Sequence, residues 1–291
     1  MQRLGILAAI AVIVLCAAPD AYAWCSTTHV ELARTTLANL GLLPAALAAL
    51  LARHRIAYVY GTIAADLVFA KKLSRVRQFC HHWSTGFRLL DSAPDDSARA
   101  FAHGYLSHLA ADTIAHGQFV PRQVAISGST VNFGHLYWEL RADALLPPES
   151  GELLREVIRA DHAPHHRIIE PHLGPALLSF DLNRRLFDRI NTLLLRPQFR
   201  RTVNIVDRCS RWYLSPTMVE RYRAACVDRI ASVLCEGDRS AVLREDPNGN
   251  SALMQLRVHR RDRRRRRRRG LPNVQRIREA TRVANTETAY A

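Results

Sequence analysis

Residues 104–116 read GYLSHLAADTIAH, and this stretch decides the fold. His108, Asp112 and His116 recur every fourth residue. On a helix that spacing turns successive side chains by about 40°, so all three fan across one face. A second pair, His135 and Glu139 in GHLYWE, repeats the same geometry on another helical stretch. Helical patterns continue through HVELARTTLANL, with Ser26-Thr27-Thr28 as its cap and Gly41 as its stop. They recur in PAALAALLARH, SGELLREVIRA, NRRLFDRINTLLL and PTMVERYRAACVDRIASVLC. Convincing alternating strands and internal repeats are absent, so the expected fold class is all-α, a multi-helix bundle.

The chemistry lies in these histidines and carboxylates. Imidazole nitrogen and carboxylate oxygen are ligands that zinc takes, and pairs spaced four apart on separate helices can converge on one ion inside a bundle. A lone histidine on an apolar helix face is more often a hydrogen-bonded core residue; five such groups together shift the balance toward metal. Burying two carboxylates among leucines and alanines costs several kcal/mol unless a cation neutralises them. The chain offers only two lysines for that, Lys71 and Lys72. His103 falls off the ligand face, His162, His165 and His166 in DHAPHHR read as a surface loop, and Asp143 reads as a solvated helix residue.

The two ends read differently from the middle. Met1-Gln2-Arg3 is a short basic start, LGILAAIAVIVLCAA an apolar run, and Ala21 and Ala23 fit an A-x-A cleavage site. The run is about 15 residues, short of the roughly 20 that span a bilayer. Residues 1–23 are therefore expected to be a signal peptide, the protein secreted or periplasmic, and Trp24 the first mature residue. The remainder, about 270 residues, is ample for a core, and a hydrophobic content of 48% argues for a globular chain. The net charge is +15, of which about +9 sits in RVHRRDRRRRRRR, so the body is only mildly basic. The arginine run suggests affinity for an anionic membrane surface or for nucleic acid. Residues 246–291 open with DPNGNS and read as a basic, disordered tail, leaving 24–245 as the helical domain. Cys25, Cys80, Cys209, Cys226 and Cys235 are an odd set, which permits at most two bridges.

Taken in order, Trp24, STTH ending at His29, GTIAAD ending at Asp66, CHHW, GYLSHLAADTIAH and HLYWE resemble the zinc-dependent phospholipase C family. The STTHVELA and SHLAAD pieces are also similar to the amino-terminal domain of glycosylphosphatidylinositol-specific phospholipase D. The likeness covers residues 24 to 145, and nothing beyond Leu146 is recognised. It implies a helical fold with up to three zinc ions in a cleft. Asp66, His82, His108 and Asp112 would hold one ion. Trp24, through its free α-amino nitrogen and carbonyl oxygen, would hold a second with His29, and Asp112 would bridge the two. His116, His135 and Glu139 would hold the third. His81 competes with His82, and His82 is chosen because members of the family place an aromatic directly after the ligand, as Trp83 stands here. The spacings at His29 and from Asp112 to His116 are shorter than in the family's smaller bacterial phospholipases and look more like the phospholipase D branch. Cys25 and Cys80 neighbour proposed ligands, and a bridge between them and two free thiols are both open.

The resemblance implies hydrolysis of phospholipid head-group esters, with Asp66 as the catalytic group that orients or deprotonates the attacking water. Two alternatives stand beside it: a zinc-dependent single-strand nuclease, and a non-catalytic metal-binding scaffold docked by its arginine tail. Fungal nucleases of that type end their last ligand motif in aspartate, whereas HLYWE ends in Glu139, which favours the phospholipase.

Overall fold

The computed structural model describes residues 25–67, 79–173, 179–252, 254, 255 and 258. The helices in chain order are α1 (Ser26–Ala38), α2 (Ala45–Arg53), α3 (Arg55–Ala64), α4 (Trp83–Asp91), α5 (Asp96–Ile114), α6 (Val120–Ser127), α7 (Val131–Asp143), α8 (Pro148–Arg159), α9 (Ala163–Ile169), α10 (Phe180–Leu194), α11 (Pro197–Arg208) and α12 (Pro216–Glu236). No strand occurs among the described residues, and the chain is all-α, as its periodicity implied.

The central element is α5, which carries the GYLSHLAADTI stretch. The Asp95 side chain starts it by accepting a bond from the Ala98 amide at 2.8 Å, which satisfies one of the amides that a helix N-terminus leaves unpaired. α3 crosses α5 at two glycines. A Cβ on Gly61 would lie 2.1 Å from the Phe101 carbonyl oxygen, and one on Gly104 would lie 2.0 Å from that of Tyr58. Only glycine permits so close a crossing of backbones. The crossing brings the end of α3, with Thr62 and Asp66, against His108.

At Ala115–Phe119 the helix widens into a π turn, with the Val120 amide bonded to the Ala115 carbonyl. Pro121 supplies the cause, because it has no N–H to give the Gly117 carbonyl and its ring would crowd that oxygen. A single π turn of this kind re-aims the side chains that follow the regular helix, and such turns are frequent at functional sites. His116 sits within it.

Trp138, Tyr58, Tyr105, Phe101, Phe119 and Phe187 are fully buried in one continuous core. α12 lies along α5 and α1, and the Cys226 thiol on α12 points at the Ala111 carbonyl 3.6 Å away. The helices beyond Leu146 therefore complete the same core. No disulfide joins any two of Cys25, Cys80, Cys209, Cys226 and Cys235, so Cys25 and Cys80 are two separate buried thiols.

DHAPHHR differs from its expected surface loop. His162 caps α9, and His162 and His165 are buried. The His162 ring stacks on Tyr60 at 3.5 Å and 5°. Its Nε2 donates to the Val157 carbonyl at 2.7 Å, and Tyr60 Oη lies 2.6 Å from His166 Nε2. The aromatic partners come from α3, far away in sequence, which is why the local run looked solvated. Burial lowers His162 to about 4 and His166 to about 4. A histidine held neutral in the fold stabilises fully above its unfolded value near 6.5, and that stability is lost as pH falls toward about 4. The metal-free protein is expected to lose about 2 kcal/mol between pH 6.5 and 5 through His162. His162→Phe, which keeps a ring on Tyr60, should flatten that part of the melting temperature against pH.

Candidate metal centre

Five elements converge on one buried cluster: α1 with His29, the end of α3 with Asp66, the 3-10 turn Phe79–His81, α5 with His108 and Asp112, and the π turn with His116. α7 closes the far side with His135 and Glu139. Asp112, fully buried, is the hub. Its Oδ1 lies 3.4 Å from His29 Nε2. Its Oδ2 lies 3.3 Å from His81 Nε2, 3.1 Å from His108 Nε2 and 3.7 Å from His116 Nε2. His29 stacks on His108 with centroids 4.1 Å apart, and His81 Nε2 also stands 3.3 Å from Asp66 Oδ1. Ligating atoms of His29, Asp66 and His108, and those of His81, His108 and Asp112, lie within 4.8 Å of one another. Beside them, His135 Nε2 is 2.7 Å from Glu139 Oε1, and the His116 and His135 rings meet edge to face at 4.9 Å.

The structure places one expected ligand outside the cluster. His82 is exposed, in extended backbone ahead of α4, with its Nδ1 3.4 Å from Ser84 Oγ. His81, one residue earlier, is the ring in the cluster. The Tyr105 hydroxyl on α5 donates to the Cys80 carbonyl, and this fixes the turn so that residue 81 points inward and residue 82 outward. Trp83, taken as the marker of a preceding ligand, instead donates its indole N–H to the Glu245 carbonyl at 3.0 Å. Asp143 is likewise not solvated. It accepts a bond from the Thr28 hydroxyl at 3.1 Å, and burial raises its carboxyl to about 6. Trp24 lies outside the described residues; Cys25, next to it, is 2% exposed, and burial pushes its thiol well above the usual range.

The electrostatics fit a cation. Burial would raise the Asp112 carboxyl, but His108, and then His29 and His81, outweigh it and hold the group well below the carboxylate range. Burial, with Asp112, Asp66 and Asp143 nearby, pushes Glu139 well above that range. Burial also lowers His29 and brings His116 to about 4, so both rings are neutral and have a lone pair to offer. His108 Nδ1 faces the Thr62 carbonyl at 2.8 Å. A carbonyl only accepts, so Nδ1 carries a proton, and Nε2 is the nitrogen turned toward Asp112, an arrangement common in zinc sites. Neither oxygen of Asp112 nor of Glu139 receives a hydrogen bond. Buried carboxylate oxygens without hydrogen bonds are costly without a positive ion. Ligands held about 2.0–2.1 Å from a tetrahedral zinc stand roughly 3.3 Å apart, which is the spacing around Asp112.

A family model described as zinc dependent phospholipase C matches residues 28–177, just over half of the chain. The chain belongs to the zinc-dependent phospholipase C family. No curated protein and no solved structure matches it. Membership accords with the all-helical fold and with His/Asp groups able to hold metal. The family match ends at residue 177, whereas the core runs on through α12. Among the described residues no helix is long and apolar enough to cross a membrane.

Proposed function

We propose that the protein is an exported phospholipase C that hydrolyses phospholipid head-group esters with up to three zinc ions. The observation that carries this reading is the Asp112 carboxylate, buried without a hydrogen bond amid four imidazole nitrogens, in a chain of this family. The ligand set is His29, Asp66, His81, His108, Asp112, His116, His135 and Glu139, with Trp24 contributing its terminal amino group and carbonyl oxygen. When bound, zinc lowers the pKa of a water toward neutrality and offsets charge on phosphate oxygens.

The side chains perform the remaining work. His108 is fixed through Thr62, His29 is fixed by stacking on His108, and Asp112 draws the rings into one geometry. Asp66, buried against His81, orients the attacking water and takes its proton. The lipid surface is the partner, and the arginine run, outside the described residues, adds attraction to anionic lipid.

The test is head-group release from phosphatidylcholine and from a phosphatidylinositol lipid, with cleavage of single-stranded DNA as a third arm, by metal-analysed protein before and after chelation. Lipid release that stops on chelation and returns with zinc is the expected result. Cleavage of DNA alone would transfer the site to the nuclease reading, and zinc without either activity would leave a scaffold.

A further inference from the structure

The DPNGNS motif was expected to begin a solvated tail, yet its start lies against the metal centre. Pro247 and Gly249 are buried. The Asn248 side-chain amide donates to the His81 carbonyl at 2.9 Å. Gly249 presses on His116 so closely that a Cβ there would stand 2.4 Å from the His116 carbonyl oxygen and 2.5 Å from its Cβ. The loop is also held within itself. The Asp246 carboxylate accepts from the amides of Asn248 and Asn250, both at 2.9 Å, and Gly249 adopts a left-handed φ of 60°, which side chains other than glycine's disfavour. Its base is clamped on both sides, by the Trp83 indole on the Glu245 carbonyl at 3.0 Å and by Arg229 on the Glu245 carboxylate at 2.9 Å.

We infer that residues 245–249 form a strap that positions His81 and His116 and thereby retains metal in the centre. The inference rests on the zinc reading above. The strap touches two of the Asp112 partners from outside, one through its main-chain oxygen and one by direct backbone contact. Asn248 and Gly249 are positioning residues. Groups that fix a ligand's orientation from outside typically account for about 10–100-fold in metal affinity. The family match stops at residue 177, so the strap lies in the part of the chain beyond it.

The experiment uses the full chain loaded with zinc, as wild type and as Asn248→Ala, Gly249→Ala, Asn248→Gln and, for a remote control on α11, Asn204→Ala. The readouts are the rate of zinc loss to a chromophoric chelator and the melting temperature of the metal-free form. Asn248→Ala and Gly249→Ala should release zinc about tenfold faster or more. Asn204→Ala should match wild type, and Asn248→Gln, which keeps a donor, should fall between. Metal-free melting temperatures of Asn248→Ala, Asn248→Gln and Asn204→Ala should stay with wild type, whereas Gly249→Ala should melt lower because its Cβ has no room at a left-handed φ. Unchanged release in both strap variants overturns the inference. So does faster release in Asn248→Ala accompanied by an equal loss of stability in its metal-free form, since the strap would then be a general staple. Wild-type protein that holds no zinc at all overturns the reading of the centre before any variant is compared, and the strap falls with it.

Discussion

Asp112→Asn is expected to abolish hydrolysis and to strip metal from the protein. The amide is nearly isosteric, so packing against α1 and α3 survives, but the substitution removes the one charge that four imidazole nitrogens surround. Asp112 is held ionised by those rings despite full burial. An amide also carries no negative charge to offset the cation that the rings should share. The loss should reach on the order of 4 kcal/mol in transition-state stabilisation, about a thousandfold in rate, with zinc content falling in parallel. Asp181→Asn on α10, where the carboxylate is exposed, is the fitting control; Asp143 is not, because it is tied to Thr28. Normal zinc content and rate in Asp112→Asn would end the assignment of Asp112 as the hub.

The second large effect separates neighbours. His81→Ala should lower the rate by about a hundredfold or more and reduce bound zinc, since His81 Nε2 stands 3.3 Å from both Asp66 and Asp112. His82→Ala should be close to silent, because that ring is exposed and, among the described residues, meets Ser84 within hydrogen-bonding range. The reverse result would mean that the turn before α4 is placed differently, with residue 82 inward. Metal analysis of the two purified variants decides between them.

These neighbours also mark the limit of what sequence discloses here. His108, Asp112, His116, His135 and Glu139 were legible because helix periodicity alone places each set on a common face, and the structure brings those faces together. His29 and Asp66 were legible only through the family resemblance. The choice between His81 and His82 was not legible, because it depends on a 3-10 turn fixed by the distant Tyr105 hydroxyl. The aromatic after the pair does not mark the buried ring, since the Trp83 indole is engaged with a carbonyl from the other end of the chain. The same cause hid the burial of His162 and His165, whose stacking partners lie on α3 and α5. Pro121 was a readable cue for the π turn at His116. The DPNGNS turn residues were equally readable as a turn, but composition cannot tell a turn in solvent from one pressed on a site.

The strap has a consequence for the order in which the molecule is made. The bond from Asn248 to the His81 carbonyl joins residues 167 positions apart, whereas the Asp112 partners on α5 and the π turn are only four away. At 5–20 residues per second, synthesis needs roughly 10–30 s to pass from one end of that bond to the other. During that interval every histidine and carboxylate of the cluster has already been synthesised, and the cost of closing the long loop has yet to be met. The candidate centre from His29 to Glu139 is therefore synthesised whole before the turn of chain that closes over it exists.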